Sequence, residues 1–477
     1  LVIDGQRMLT DSWIESTNPA QKDEVVGRVA RGDLARAEAA LVAAERAFGE
    51  WSRFPAEERA RVLLRIASRL RKHKLDLAAT MIREIGKTWV EAEADIAEAI
   101  DFCEFYAREM LRLAAPQPVT TLRGNENELV YLPLGPGVAI PPWNFPGAIA
   151  TGLVVSAVVA GNTMIFKPAS LTPIIAAKIF RLFEEAGLPP GVVNYLPGPG
   201  ESVGDYLVAH PRMRFVSFTG SKEVGIRIWE EAAKVRPGQK WLKRVIAEMG
   251  GKDAIIVDES ADLDAAADGI VASAYGFQGQ KCSACSRVIA VASVYETIVQ
   301  RVAERANALR VGDPADPATN VGPVADPRQF AKVVSYLEVG RREARLVAGG
   351  TYDDTTGYFV DPTVFADVAP TSRLATEEIF GPVLSILKAD DFDAALAIAN
   401  ATEYGLTGGV YARAPYKLAR ARREFHVGNL YLNRKITGAL VGVEPFGGFN
   451  MSGTDAKAGG RDHLLQFLQA KSISERL

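Results

Sequence analysis

Cysteine, histidine and long apolar runs are scarce in this sequence. Its 477 residues include three cysteines and four histidines, too few cysteines for a disulfide framework, so we expect a reducing compartment, the cytoplasm. No apolar run approaches the roughly 20 residues of a membrane-spanning helix, and no signal-peptide pattern opens the chain. Because the chain starts at Leu1 and not at methionine, we expect that a few residues precede it.

A strong charge of either sign is also missing. The formal net charge is −3, and the one basic cluster, KVRPGQKWLKR (234–244), is typical of a solvated surface. We therefore expect neither nucleic acid nor a membrane as a partner. With 48% hydrophobic residues, the chain is long enough to bury the cores of two or three domains.

The order of apolar patterns predicts an α/β protein. Residues 33–115 have apolar positions at helical spacing, residues 118–146 resemble strands broken by proline and glycine, and residues 147–161 predict a buried helix. After that, short apolar runs alternate with amphipathic stretches in two series, one from NTMIFKP and one from DAIIVD. Strand–turn–helix repetition of this kind predicts parallel, doubly wound sheets.

Two of the three cysteines lie in GFQGQKCSACSR (276–287), with C-x-x-C spacing. A redox pair of the thioredoxin type begins a helix in a small domain, which does not fit this position deep in a large chain. A zinc site needs further ligands, but the histidines are scattered and Cys103 falls in a helical stretch typical of a core. A single nucleophilic thiolate at Cys282, with Cys285 as a bystander, is the remaining chemical interpretation.

Two further residues have chemically suitable surroundings. Glu248 precedes two glycines in IAEMGGKDAIIVD, where a carboxylate can approach a reaction centre as a base. Asn144 lies between prolines in IPPWNFPG, where a fixed amide can donate to a developing oxyanion. The residues alone leave the alternatives open, a solvated loop glutamate and an ordinary asparagine turn.

Three strand ends suggest a dinucleotide. Gly200 and Gly204 belong to GPGESVG, which is one residue longer than the usual glycine fingerprint. Ser221 stands between a strand and a helix N-terminus, where a phosphate is favoured, and Lys167 ends a strand at the edge where such sheets bind ligands. Each of these positions is also compatible with a plain turn.

Taken in order, these stretches resemble the aldehyde dehydrogenase superfamily over essentially the whole chain. The shared motifs are PWNFP, KPAS, FTGS, EMGGKDAIIV, FQGQKC, EEIFGPV and PFGGFNMSG. The resemblance implies an α/β fold with a Rossmann-type NAD-binding domain, an α/β catalytic domain and a small β oligomerisation arm. The implied boundaries are 1–117 and 138–249 for the first, 250–440 for the second, and 118–137 and 455–477 for the arm. A homodimer, or a multiple of dimers, is implied as well.

The resemblance also assigns catalytic and cofactor roles. Cys282 would be the nucleophile, Glu248 the general base, and Asn144 an oxyanion donor together with the Cys282 backbone N–H. Lys167 would hold the adenosine ribose and Ser221 the phosphates. The implied cofactor-binding residues are Lys167, Ser170, Gly200, Gly204, Ser221, Gly250, Glu378 and Phe380, and no metal is expected.

The cofactor expected from the resemblance is NAD, with NADP possible. Many relatives carry glutamate after KPA to bind the ribose hydroxyls, whereas this chain has Ser170. A small neutral residue leaves room for a 2′-phosphate, so the preference for NAD is less secure at this position.

Within the superfamily, the chain most resembles the branch that oxidises L-glutamate γ-semialdehyde, the open form of 1-pyrroline-5-carboxylate, in proline and arginine breakdown. The stretches that carry this likeness include GQKCSACSR and NRKITGALVGVEPFGGFNMSGTDAKAGGRDHLLQF. It implies a functional link to proline dehydrogenase. Two alternatives are a hydrolytic enzyme for another aldehyde and, less favoured, a coenzyme A-acylating or non-catalytic relative.

Such a substrate needs anion donors and a cation partner far from its aldehyde. We expect Ser283 and the backbone N–H groups of Gly438 and Ala439 to bind its carboxylate, and Glu98 to face its ammonium. Two phenylalanines would pack against the aliphatic stem. The predicted substrate-binding residues are Glu98, Phe145, Ser283, Gly438, Ala439 and Phe446.

Overall fold

A computed structural model describes residues 1–477 of the chain. The elements of its first half are β1 (Val2–Ile3), β2 (Gln6–Arg7), β3 (Trp13–Asn18), β4 (Gln21–Ala30), α1 (Leu34–Trp51), α2 (Ala56–Lys72), α3 (Lys74–Ile85), α4 (Trp89–Ala114), β5 (Asn125–Pro133), β6 (Pro136–Ile140), α5 (Ala148–Val159), β7 (Thr163–Phe166), α6 (Pro173–Glu185), β8 (Val193–Tyr195), α7 (Asp205–Ala209), β9 (Phe215–Thr219), α8 (Lys222–Ala233) and β10 (Arg244–Glu248).

The second half begins directly after the β10 glutamate. Its elements are β11 (Ala254–Val257), α9 (Leu263–Tyr275), β12 (Arg287–Val291), α10 (Tyr295–Asn307), α11 (Pro327–Glu343), β13 (Arg345–Ala348), β14 (Tyr352–Asp353), β15 (Phe359–Val360), β16 (Thr363–Ala366), α12 (Arg373–Thr376), β17 (Val383–Ala389), α13 (Phe392–Asn400), β18 (Tyr404–Gly405), β19 (Thr407–Tyr411), α14 (Pro415–Glu424), β20 (Asn429–Leu432), β21 (Phe449–Asn450) and β22 (Leu468–Arg476).

Two seven-stranded sheets form the frame of the molecule. The first has the order β10-β9-β6-β7-β8-β1-β2, and the second has the order β13-β16-β17-β12-β11-β19-β20. Neighbours among β6 to β10 are parallel, as are those from β16 to β20, whereas β1 and β13 join antiparallel at the margins. Buried apolar strands covered by helices on both faces explain this parallel arrangement. The predicted α/β class is confirmed.

The helical pattern of the N-terminal region gives the four helices α1 to α4, of which α2, α3 and α4 pack into one core while most of α1 packs on the first sheet. The side chain of Asp33 caps α1 by accepting a hydrogen bond from the Arg36 backbone N–H at 2.8 Å. Gly86 ends α3 with φ +73°, the left-handed conformation that glycine adopts without strain. The predicted helix at 147–161 is α5, which is buried along its whole length. None of the helices combines the length and the apolar content that a membrane crossing requires.

A separate two-stranded ribbon joins β5 to the C-terminal strand β22. The pairing is antiparallel, from Leu468 opposite Pro133 to Arg476 opposite Asn125. Its bounds differ from the predicted arm in two places. Strand β6 belongs to the first sheet, so that sheet already begins at Pro136. Residues 455–467 precede the ribbon, and several of them line the cavity described below.

Candidate active site

A cavity of about 180 Å³ lies between α4, α5, the loop that holds Cys282 and the segment before β22. Its wall includes Cys282 and Glu248, which sequence analysis predicts to be catalytic. It also includes all six predicted substrate-binding residues, Glu98, Phe145, Ser283, Gly438, Ala439 and Phe446. The fold thus brings residues from distant parts of the sequence into one small chamber.

The loop before Cys282 has an unusual backbone. Phe277 and Gln278 have φ values of +48° and +56°, a left-handed conformation that costs of the order of 1–3 kcal/mol per residue outside glycine. The Gln278 side-chain amide offsets this cost, because it donates to the carbonyl oxygens of Gly86 at 2.9 Å and Pro323 at 2.7 Å. The nucleophile loop is therefore tied to the α3–α4 turn.

Asn144 is held beside the same loop. It is buried, and its Nδ2 donates to the Gln280 carbonyl oxygen at 2.9 Å. Gln280 is fixed in turn, since its Oε1 accepts from the Ala325 backbone N–H at 2.9 Å. An asparagine amide has two N–H donors, so one of them is left without a protein acceptor. Asn144 itself is not among the residues that line the cavity.

The two cysteines of the C-x-x-C stretch differ in their surroundings. Cys282 is partly exposed to the cavity, whereas Cys285 is buried, and both thiols are free. Cys285 Sγ contacts the Arg287 carbonyl oxygen at 3.4 Å within the core. Burial, followed by the charges of Glu248 and Asp253, holds the pKa of Cys282 well above its usual range. The resting thiol is therefore protonated, and it must lose this proton before it can act as a nucleophile.

Glu248 lines the same cavity as Cys282. It ends β10, and burial raises the pKa of its carboxyl to about 8. The charge of Lys457 and the Gly448 backbone N–H act in the opposite direction. Its buried Oε1 has no hydrogen-bond partner in the protein. A carboxylate with this pKa and a free oxygen can accept a proton from a thiol or from water near neutral pH.

The α4 side of the cavity is polar. Burial raises the pKa of Glu98 to about 8, with the Asp95 charge adding to the effect. Glu91, one of the residues that sequence analysis missed, pairs with Lys281 at 2.7 Å. A lysine directly before the nucleophile, and acidic residues spaced to share one face of α4, were the available signals.

A buried ion pair behind the cavity was also missed. Lys87 and Asp95 are 2.7 Å apart and fully buried. The Lys87 ammonium lies 3.9 Å from the ring centroid of Phe145 and 4.7 Å from that of Phe277. Asp95 accepts a hydrogen bond from the Ala148 backbone N–H at 2.6 Å. The pair therefore connects the Asn144 loop, which carries Phe145, to the loop before Cys282.

Two aromatic residues complete the wall. Tyr106 and His463 stack with their ring centroids 5.3 Å apart, and the Tyr106 hydroxyl accepts from the Gly459 backbone N–H at 2.8 Å. Burial lowers the pKa of His463 to about 4, so its ring is neutral. Sequence reasoning had no local signal for this contact, because helix α4 and the segment before β22 lie far apart in the chain.

The predicted cofactor residues lie outside the cavity, in two groups. The first group is at the strand ends of the first sheet. Lys167 is buried, which lowers its pKa to about 8, and its Nζ donates only to the Pro168 carbonyl oxygen at 3.2 Å. A Cβ atom on Gly204 would lie 3.4 Å from Lys167 Cε, so a glycine there leaves the lysine room. Gly200 begins the turn that ends at Gly204.

Ser221 and Ser170 belong to this first group as well. Ser221 caps α8, accepting from the Val224 backbone N–H at 3.4 Å, and thereby marks a helix N-terminus that favours an anion. Ser170 is exposed in a turn before α6. A lysine with spare donors and a helix N-terminus fit the ribose and phosphates of a dinucleotide.

The second group lies beside Glu248. Glu378 Oε1 accepts from the Gly251 backbone N–H at 3.0 Å, and a Cβ atom on Gly250 would approach that oxygen to 2.4 Å and displace the carboxylate. Phe380 has φ +62° and packs edge-on against Trp143, with ring centroids 5.4 Å apart. A carboxylate and an aromatic ring next to the nucleophile suit a nicotinamide ribose and its ring.

The family model described as the aldehyde dehydrogenase family matches residues 7–473. The chain belongs to the aldehyde dehydrogenase family. The predicted superfamily is confirmed, and the cavity of this aldehyde dehydrogenase is lined by the Cys282 thiol and the Glu248 carboxyl.

Relatives of this aldehyde dehydrogenase are similar over its full length. The 1-pyrroline-5-carboxylate dehydrogenase of Geobacillus sp. (strain WCH70) is 58% identical over 475 residues, which cover 100% of this chain and 92% of that protein. A structure of 1-pyrroline-5-carboxylate dehydrogenase from Thermus with bound NAD has a TM-score of 0.99 and 55% identity, covering 100% of this chain and 92% of that one. Proline utilization A (PutA) from Bdellovibrio bacteriovorus, inactivated by N-propargylglycine, has a TM-score of 0.98 and 43% identity, with coverage of 100% and 49%.

Proposed function

We propose that this aldehyde dehydrogenase oxidises L-glutamate γ-semialdehyde to L-glutamate with NAD, in proline and arginine breakdown. The observation that carries the proposal is a mostly apolar cavity that holds the Cys282 thiol together with a few polar groups. Those polar groups come from Ser283, the Gly438 turn and the acidic face of α4. An aliphatic aldehyde would need only apolar contacts, whereas an amino acid needs donors and a carboxylate. The 55–58% identity to 1-pyrroline-5-carboxylate dehydrogenases supports the same substrate.

The first half of the reaction forms a thioester. The Cys282 thiol gives up its proton to water, and the thiolate sulfur adds to the aldehyde carbon. The carbonyl oxygen becomes an oxyanion, which the Asn144 amide and the Cys282 backbone N–H stabilise. Bound NAD accepts the hydride that leaves this carbon. The oxyanion then collapses to a carbonyl, and Cys282 carries the acyl group.

The second half releases the acid. Glu248 takes a proton from water, the hydroxide oxygen adds to the thioester carbon, and the carbon–sulfur bond breaks with return of the Cys282 thiolate. Glu248 also argues against the coenzyme A-acylating alternative, since that reaction does not need a base for water. The product expected is free glutamate, without dependence on coenzyme A.

We assign the cofactor to the two groups of residues outside the cavity. Lys167 would bind the adenosine ribose, Ser221 and the Gly200–Gly204 turn the phosphates, and Glu378 and Phe380 the nicotinamide ribose and ring. A bound NAD in the Thermus relative supports this choice. The exposed Ser170 leaves space for NADP as a weaker alternative.

The roles of the larger parts are also proposals. We assign NAD binding to the first sheet, catalysis to the second, and oligomerisation to the β5–β22 ribbon, with a homodimer or a multiple of it as the assembly. Three free thiols favour a reducing compartment, the cytoplasm. Similarity to about half of a proline utilization A chain supports a functional link to proline dehydrogenase.

An aldehyde panel tests the proposal. Glutamate semialdehyde, propanal and pentanal are compared for reduced nicotinamide production, with NAD and NADP in parallel. We expect kcat/KM to be highest for the semialdehyde with NAD, and glutamate to inhibit competitively. Ser283→Ala should reduce the preference for the semialdehyde by roughly 1–3 kcal/mol, because a charged group loses a donor.

Two results would contradict this proposal. If simple aldehydes matched the semialdehyde, or if glutamate failed to compete, the substrate would be wrong and only the family would stand. If coenzyme A stimulated turnover and an acyl-thioester accumulated, the hydrolytic step would be wrong.

A further inference from the structure

The strand that carries Glu248 is held by a segment from the far end of the chain. The Met249 backbone N–H donates to the Ser452 carbonyl oxygen at 2.7 Å, and the Thr454 backbone N–H donates to the Ala247 carbonyl oxygen at 2.9 Å. These two bonds lie on either side of Glu248. The position of the base therefore depends on how firmly the 447–457 segment is itself held.

Lys457 holds that segment. Its ammonium donates to the carbonyl oxygens of Gly428, at 2.8 Å, and Gly447. It also lies 3.6 Å from the Asp455 carboxylate and 5.2 Å from the ring centroid of Phe449. One cation thus connects the start of β20 to the turn before β21 and to the loop after β21.

The charges that face Glu248 come from several elements. Lys457 favours the carboxylate form, whereas Asp455 on the same segment and Asp253 before β11 disfavour it. The Cys282 thiol, on the nucleophile loop, also faces Glu248, because the Glu248 charge adds to burial in raising the pKa of that thiol. The Gly448 backbone N–H, next to the carbonyl that Lys457 binds, also favours the carboxylate. Lys457 is therefore the cation on this side of the base, and it acts both directly and through the turn.

We propose that Lys457 is a positioning residue for the hydrolytic half-reaction, holding the Gly447–Gly448 turn against Glu248 and keeping that carboxylate ready to take a proton from water. The inference rests on the proposed role of Glu248. Lys457 itself gains and loses no proton in the cycle. Its charge and its hydrogen bonds act on the group that does.

Single-turnover kinetics test this role. The full-length enzyme is mixed with NAD and glutamate semialdehyde between pH 6 and pH 10. Formation of reduced nicotinamide reports thioester formation, and quenched samples report glutamate release. The variants are Lys457→Met, Lys457→Gln, which keeps an amide donor, and Lys457→Arg, which keeps the charge. Lys72→Met, an exposed lysine at the end of α2, is the matched control.

Without the Lys457 charge, the carboxylate form of Glu248 is disfavoured, so hydrolysis should need a higher pH. We expect glutamate release by Lys457→Met and Lys457→Gln to slow about tenfold at pH 7, the effect of a displacement of the pH profile by one unit. The rate should recover at high pH, and Lys457→Arg should restore most of it. Reduced nicotinamide should form at close to the parent rate throughout, and Lys72→Met should match the parent.

Other results would overturn the inference. The hydrolytic pH profile of Lys457→Gln could equal that of the parent, or Lys457→Arg could be as slow as Lys457→Met at every pH. Either result would show that the Lys457 ammonium does not affect the position or the ionisation of Glu248. A failure of the proposed function is distinguishable, because then Glu248→Gln would release glutamate as fast as the parent. The inference alone fails when Glu248→Gln stalls at the thioester and the Lys457 variants do not respond to pH.

Discussion

Two walls of the cavity carry half-buried carboxylates with the same raised pKa, yet their neighbours differ. On the catalytic wall, Glu248 faces the Cys282 thiol, and Lys457 is its nearby cation. On the α4 wall, Glu98 stands near Asp95 and Lys87, which already neutralise each other. Burial raises both pKa values to about 8. The comparison teaches that burial sets the pH at which such a carboxyl ionises, whereas the neighbouring groups determine the chemical role of the carboxylate.

The two walls also differ in construction. The catalytic wall is assembled from the end of β10, the nucleophile loop and the 447–457 segment, and it keeps an oxygen of Glu248 without a partner. The α4 wall is one face of a single helix, with Glu91 paired to Lys281. A base requires a free oxygen beside the reacting atoms. A partner for a substrate ammonium requires only a carboxylate at a fixed distance from them.

The largest effect is expected on the catalytic wall, at the nucleophile. Cys282→Ala removes the sulfur that carries the acyl group, and Cys282→Ser replaces it with an alcohol that does not ionise near neutral pH. Either variant should lower kcat by at least about 10³-fold. Steady-state production of reduced nicotinamide measures this loss. Near-parental turnover by Cys282→Ala would show that Cys282 is not the nucleophile, and the catalytic wall would lose its assigned role.

A smaller effect is expected on the α4 wall, at Glu98. Its carboxyl is mostly neutral at pH 7 and ionises as the pH rises through about 8, so it should attract a substrate ammonium only above that pH. The KM of the parent should therefore fall with rising pH, while that of Glu98→Gln stays flat. We expect near-equal KM values at pH 7 and a difference of up to about tenfold at pH 9, with kcat unchanged.

The measurement for Glu98 is KM as a function of pH, corrected at each pH for the fraction of substrate in the open form. Pentanal, which has no ammonium, is the matched control and should show no difference between parent and variant. A lower kcat for Glu98→Gln, without a change in KM, would assign Glu98 to the chemical step. The two walls would then not differ in function.

The smallest effect is expected at Cys285, three residues from the nucleophile but inside the core. Cys285→Ala should keep activity within about twofold and should lower the free energy of unfolding by about 1 kcal/mol, because a buried sulfur is lost. Steady-state kinetics and denaturant unfolding measure the two quantities. Activity as low as that of Cys282→Ala would favour a redox pair in place of a single nucleophile.

Much of this arrangement is predictable because its determinants are local. Helical spacing predicts α1 to α5, and short apolar runs predict several strands of each sheet. The glycine-rich turn before Cys282 predicts a nucleophile there, because such a turn depends only on adjacent residues and can be read from the sequence. All six predicted substrate-binding residues line one cavity, a juxtaposition that came from the family resemblance and not from spacing.

The rest depends on contacts that no local pattern encodes. Tyr106 stacks on His463, and Lys87 reaches the rings of Phe145 and Phe277, only because the sheets bring their segments together. Lys457 resembles an ordinary surface lysine in the sequence. The limits of the ribbon differ from those predicted for the arm for a similar reason: Pro136 pairs with Thr163 in the first sheet, and this pairing depends on the partner strand.

The pairing of Met249 with Ser452 has a consequence for synthesis of the enzyme on the ribosome. At about 5–20 residues per second, the chain needs roughly 10–40 s after the first sheet is complete before the segment that supports Glu248 exists. In this interval the nascent chain already carries Cys282 but lacks the loops that enclose it. We therefore expect the thiol to be more exposed to oxidants and electrophiles on the nascent chain than in the complete fold. Synthesis of the last part of the chain is therefore expected both to complete the catalytic site and to shield the Cys282 thiol.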